Sequence, residues 1–313
     1  MTVWLVTGSS RGLGRAVVHA ALDRGDRVVA TARRPGTLAD LAERYPRTLR
    51  AIAHDVTDRA RADAAVALAR DAFGGLDVLV NNAGYANVEA VEDATEESFR
   101  DQVETVFFGT VHTTRAALPA LRERGGGHVI NISSVGGRLA TPGLAAYQSA
   151  KWAVSGFSQV LALEVAPLGV KVTAIEPGGM DTDWAGSSMA VPPVSEPYRA
   201  TVGAAAAMYG AGRPLGDTAK VARVVLRVAD MDEPPVRLLT GSEAYTYATG
   251  AARALLASDE RWAELSRSTD RDDATDDERD PTGALRSGPE PTGRRVSTED
   301  VDGGDRDAAS EPR

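Results

Sequence analysis

The chain has 313 residues, 43% apolar and 25% charged, with 44 acidic against 35 basic side chains and no cysteine. That mixture suits a full globular core, and the missing thiols exclude disulfides, thiolate-held zinc, iron–sulfur clusters and cysteine nucleophiles. A net charge of −9 argues against a general nucleic-acid binder, whose affinity comes from neutralising phosphates. The opening residues lack the basic stretch and apolar run of a signal peptide, and no run approaches the roughly 18 apolar residues of a membrane span. A soluble, cytoplasmic protein without nucleic-acid or membrane partners is expected.

In chain order, short β-branched runs at 3–6, 27–30, 49–52, 76–80, 128–132 and 170–175 alternate with helical patterns at 12–24, 58–72, 95–123 and 144–167. A helix at 217–230 and a last short strand near 236–239 close the series. Strand and helix at this cadence imply right-handed crossovers and a parallel sheet. The predicted fold is a single α/β, doubly wound Rossmann domain over residues 1–266 with about seven strands. Residues 267–313 hold 14 acidic and 8 basic side chains, no aromatic, and only Leu285, Val296 and Val301 as sizeable apolar groups. They are read as a disordered acidic tail, because so little burial cannot offset ordering entropy.

Directly after the first strand, Thr7-Gly8-Ser9-Ser10-Arg11-Gly12-Leu13-Gly14 leads into a helix. Glycines let the backbone approach a pyrophosphate, while the helix start offers free N–H groups and a favourable dipole. The second strand ends in Ala32-Arg33-Arg34, without the acid that usually accepts from the ribose of NAD. Arg33, with Arg11, offers guanidinium groups to a 2′-phosphate instead, so NADP(H) is expected over NAD(H).

Tyr147 and Lys151 stand four apart at the start of a long helix and share one face. A phenol ionises near pH 10, and bringing it down to about 7 takes roughly 4 kcal/mol, which an adjacent ammonium and a cationic nicotinamide can supply. Ser134, at the end of the fifth strand, could hold a substrate oxygen by donating its hydroxyl proton. The four histidines are scattered, so no metal is implied. The stretch 184–214 reads as a lid or a mobile loop, and Met189, Val191, Val194, Tyr198, Met208 and Tyr209 make it apolar enough to suit a hydrophobic substrate.

The glycine turn, Asn81-Asn82-Ala83-Gly84, Ser134 and Tyr147-x-x-x-Lys151 occur in one order that resembles the short-chain dehydrogenase/reductase family over about residues 2–245. The resemblance implies that Gly8, Ser10, Arg11, Gly12, Leu13 and Gly14 form the cofactor loop and that Asp55 and Val56 lie beside the adenine. It also implies that Asn82, Ala83 and Gly84 line the adenine ribose. Ser134, Tyr147 and Lys151 become the catalytic serine, the proton-transferring tyrosine and the ribose-binding lysine. Pro177, Gly178 and Thr182 would flank the nicotinamide. By the same analogy the protein is a homo-oligomer acting on a carbonyl or alcohol. One position departs from the pattern: Val106 stands where the family usually has an asparagine that bends the helix and serves a water relay to the lysine. The rival expectation is therefore a catalytically weak NADP(H)-binding sensor or regulatory protein on the same fold.

Overall fold

A computed structural model describes residues 1–180, 189–209 and 214–279. The chain runs β1 (Val3–Val6), α1 (Gly12–Asp23), β2 (Arg27–Ala32), α2 (Ala39–Arg44), β3 (Leu49–Ala53), α3 (Arg59–Phe73), β4 (Val78–Asn81) and a two-residue β5 (Ala86–Asn87). It continues with α4 (Glu96–Val103), α5 (Gly109–Glu123), β6 (Gly127–Ile132), α6 (Ala145–Val165), β7 (Val170–Pro177), β8 (Met189–Ala190), α7 (Ala204–Tyr209), α8 (Thr218–Asp230), β9 (Arg237–Thr240) and α9 (Ser242–Arg261). Seven strands form one parallel sheet, as predicted, and their order is β3-β2-β1-β4-β6-β7-β9.

All four residues of β1 are buried, because helices cover both faces of the sheet. Trp4 and Val6 point to one face with Val28, Ile130 and Ile175, where α1 and α8 supply Val17, Val18, Val221 and Val225. Val3 and Leu5 point to the other with Leu79, Val129 and Val172, under Phe73 of α3, Leu121 of α5 and Leu161 of α6. Strand order reverses between β1 and β4, and in open sheets of this kind the crevice outside the strand ends at that point receives the ligand.

Helix α1, like α2, α5 and α6, starts without a side-chain cap. Asp58 caps α3, Thr95 caps α4 and Asp217 caps α8 through side-chain oxygens, whereas α1 begins after Arg11 with no side-chain cap and no acid in its first turn. The leading N–H groups of a helix have no intrahelical partner, and no side chain of the N-cap residue Arg11 caps them here.

The helix expected over 95–123 is broken by a π-helical turn at Glu104–Phe108. Gly109 approaches so closely that a Cβ there would lie 2.5 Å from Val56 Cγ2, and the Thr110 hydroxyl donates to the Val106 carbonyl at 2.9 Å. The contact with Val56 is tertiary, so helical periodicity alone does not reveal it.

Contacts divide the chain into a unit Met1–Leu255 and a second from Leu256, a division that falls inside α9. Within the stretch predicted to be disordered, residues 276–279 form a short helix, α11, following α10 (Ala263–Arg267). Its start is a reciprocal cap: Thr275 N donates to Glu278 Oε2 (2.9 Å) and Glu278 N donates to Thr275 Oγ1 (3.3 Å). The remainder of the predicted tail, 280–313, lies outside the described residues.

Candidate active site

The turn after β1 is shaped by what its glycines permit. Gly8 and Gly12 adopt φ of +66° and +56°, in the left-handed region that favours glycine. A Cβ on Gly8 would sit 2.8 Å from Ala83 Cα, and one on Gly14 would sit 2.4 Å from both the Gly8 carbonyl and Asn82 Nδ2. The turn is therefore pressed onto the strand end of β4. Thr7 Oγ1 accepts from the backbone N–H groups of Asn82 (2.9 Å) and Ala83 (3.1 Å), and Asn82 Nδ2 donates to the carbonyls of Thr7 and Gly8. Ser10 and Arg11 complete the loop, and Leu13 turns its side chain into the core, leaving its backbone to the cradle. A cradle that any side chain would fill, at an uncapped helix start, fits a dinucleotide pyrophosphate.

Other predicted cofactor residues line the same strand ends. Arg33 is exposed past β2 and has no hydrogen-bond or ion-pair partner among the described residues. Asp55 is exposed and its Oδ1 accepts from the amide and hydroxyl of Thr57, while Val56 is buried against Gly109. Pro177 ends β7, and Gly178 N donates to the Thr240 carbonyl (3.0 Å). Thr182 lies outside the described residues.

Ser134 follows β6 in an extended conformation, and its Oγ accepts from Gly136 N at 3.0 Å. With that lone pair occupied, the hydroxyl proton remains for another acceptor. Tyr147 and Lys151 lie on one face of α6, 7% and 5% exposed, with Lys151 Nζ 5.7 Å from the Tyr147 ring centroid. Nζ donates to the Ile132 carbonyl at 2.6 Å, and burial holds the ammonium's pKa down to about 8. A lysine with its pKa drawn down to about 8 beside a buried phenol suits proton transfer.

Tyr147 belongs to an apolar cluster with Ala86, Val88, Leu144, Met189 and Val202, to which Val194 and Tyr198 add partly buried side chains. The segment beginning at Met189 is held there by strand pairing of β8 with β5 and by Val88 N donating to the Ala190 carbonyl (2.8 Å). Ser195 N donates to Asp93 (3.0 Å), and the Tyr198 hydroxyl donates to Glu92 (2.6 Å), a hydrogen bond that raises the Tyr198 pKa. Of the predicted lid residues, Met189, Val194 and Tyr198 join this wall, while Val191 and Met208 face outward at 50% and 76% exposure. Leu144, Val88 and Val202 escaped the sequence reading; Val88 and Val202 join Tyr147 only through tertiary contact.

Val106 is buried with Ala150 and Val154, so its side chain offers no polar relay. Its carbonyl, which accepts from the Thr110 hydroxyl, is the polar group it contributes. His54 and His128 are buried beside Thr31 and Thr173, with burial lowering both to about 4. No group of three metal-ligating side chains occurs among the described residues, and no helix there is long and apolar enough to cross a membrane.

The sequence profile of the short chain dehydrogenase family matches residues 2–191. Oxidoreductase BOA17 of Botryotinia fuckeliana is 52% identical over 267 residues, covering 84% of this chain and 97% of that protein. Oxidoreductase calM of Penicillium decumbens is 36% identical over 281 residues, 84% of this chain and 91% of its own. A short-chain dehydrogenase structure from Streptomyces avermitilis, 41% identical, superposes with a TM-score of 0.81 over 86% of this chain and all of that one. One from Burkholderia cenocepacia in complex with NADP is 27% identical, with a TM-score of 0.67 over 83% of this chain and 96% of the other. The chain belongs to the short-chain dehydrogenase/reductase family and is an oxidoreductase.

Proposed function

We propose that the protein reduces a carbonyl compound with apolar flanks, using NADPH, and runs the reverse oxidation of a secondary alcohol. The observation that carries this reading is the buried Tyr147–Lys151 pair beneath an apolar wall. Bound nicotinamide supplies or accepts the hydride at the carbonyl carbon. Tyr147 gives its phenolic proton to the carbonyl oxygen, and Ser134 donates a hydrogen bond to the same oxygen, stabilising the charge that develops there. Lys151 lowers the phenol's pKa and holds the nicotinamide ribose.

Gly8, Ser10, Arg11, Gly12, Leu13 and Gly14 receive the pyrophosphate, with Asp55 and Val56 at the adenine and Asn82, Ala83 and Gly84 along the ribose. Pro177, Gly178 and Thr182 flank the nicotinamide. Arg33, exposed and without a hydrogen-bond or ion-pair partner among the described residues, selects the 2′-phosphate of NADP(H), and alanine at 32 offers no carboxylate to favour NAD(H). The NADP named with the Burkholderia cenocepacia relative supports this choice. Trp152, Val160 and Leu163 are exposed along α6, and we assign them to a homo-oligomer contact.

The test is Tyr147→Phe with NADPH and a panel of benzaldehyde, 4-nitrobenzaldehyde, cyclohexanone and menadione. Turnover should fall at least 100-fold, the usual scale of losing a general acid. NADPH affinity should stay within about threefold, since only the phenolic oxygen is removed. Near-full activity in this variant would refute the mechanism. The apolar burial of Val106 favours a second reading, a dinucleotide-binding sensor, and failure of the wild-type protein to turn over any panel member while binding NADPH would select it.

A further inference from the structure

Glu176 is fully buried at the end of β7, immediately before Pro177. Side chains from three other parts of the chain converge on its carboxylate. Arg138 Nε donates to Oε2 at 2.5 Å, Arg237 of β9 donates to Oε1 through Nε at 2.8 Å, and Ser155 of α6 donates to Oε1 at 2.9 Å. These partners also hold the loop that carries Ser134. Arg237 Nη2 donates to the Gly137 carbonyl at 3.2 Å, and Ser155 Oγ lies 2.8 Å from Ser133 Oγ, which donates to the Lys151 carbonyl at 3.1 Å. The fit is close: a Cβ on Gly137 would lie 2.9 Å from Ser155 Oγ and 3.0 Å from the Lys151 carbonyl.

A buried ion cluster is a poor source of net stability, because desolvation offsets most of the attraction. What this cluster does supply is a fixed distance between a loop and a helix. We propose that Glu176, with Arg138 and Arg237, is a positioning residue that fixes the 133–138 loop against α6 and so sets the Ser134 hydroxyl relative to Tyr147. This rests on the catalytic role assigned above to Ser134. Glutamine at 176 would keep the volume but turn one oxygen into an N–H donor, which cannot accept from a guanidinium. One arginine is then released, and with it one of the loop's two attachments.

The test is Glu176→Gln, read first by amide hydrogen exchange. Exchange across residues 133–138 should accelerate at least tenfold while the glycine turn, 7–14, stays unchanged; unaltered exchange at 133–138 overturns the proposal. In turnover of 4-nitrobenzaldehyde with NADPH, kcat should fall at least tenfold with the KM for NADPH within twofold. Ser134→Ala with Glu176→Gln should be no worse than Ser134→Ala alone, within twofold, because a residue acting through Ser134 has nothing left to position. Losses that multiply overturn the proposal. Full turnover in Ser134→Ala refutes the role given to Ser134 and the proposal built on it, while the exchange arm still reports whether Glu176 fixes the loop. Should Glu176→Gln fail to fold, Ser155→Ala removes the neutral strut without altering charge and is read by the same two arms.

Discussion

Lys151→Met separates what the lysine does for chemistry from what it costs the fold. Burial lowers its pKa from 10.5 to about 8, which at about 1.4 kcal/mol per pH unit is a penalty of about 3 kcal/mol on the folded state. Methionine fills the same space without charge, though it leaves the Ile132 carbonyl without its 2.6 Å donor, a loss of about 1 kcal/mol. A net gain of about 2 kcal/mol should raise Tm by about 4–8 °C at pH 7. Below pH 8 both folded and unfolded states hold the proton, so the wild-type penalty is present in full. Between pH 8 and 10.5 the folded state has released the proton that the unfolded state keeps, so wild-type stability climbs. The advantage of the methionine variant should therefore shrink over that window while its turnover stays at least 100-fold down and its NADPH binding weakened. Thermal denaturation at pH 7, 8, 9 and 10 checks this. A variant less stable at pH 7, or a difference independent of pH, would refute the reasoning.

Gly14→Ala should reduce NADPH affinity at least tenfold and lower Tm, since its Cβ meets the Gly8 carbonyl and Asn82 Nδ2 at 2.4 Å; titration calorimetry and a thermal scan read both effects. Arg33→Ala should weaken NADPH by about tenfold or more and leave NADH within about twofold, the worth of one charge-assisted contact. Equal losses for the two cofactors would contradict the assignment. Val106→Asn puts an amide among Ala150 and Val154, so Tm should fall by several degrees with no rise in kcat; a clear rise in kcat would show that the apolar side chain limits proton supply.

The sheet was legible because its strands are buried on both faces and read as unbroken apolar runs, as at Val3–Val6. The cradle was legible because Gly8, Gly12 and Gly14 mark positions where side chains do not fit. Features made by tertiary contact were not. The π-helical turn adjoins a close approach of Gly109 to Val56, and part of the wall over Tyr147 is held by two strands of two residues each, too short for any periodicity. Glu176 and its arginines are spread from residue 138 to 237, and nothing local in any of them marks the meeting. The Thr275–Glu278 cap is a different case: its spacing is plain in the sequence, but the acidic composition around it outweighed the local signal.

The missing cap on α1 has a consequence for the life of the protein as well as for binding. Helices α3, α4 and α8 carry side-chain caps in the polypeptide, whereas the first crossover leaves that role to whatever anion enters the turn. A ligand that completes a structural element stabilises the folded chain by mass action, by about 2.7 kcal/mol when present at a hundred times its Kd. Resistance to unfolding and proteolysis would then rise and fall with the supply of dinucleotide, so that the amount of protein surviving follows the amount of cofactor it can use.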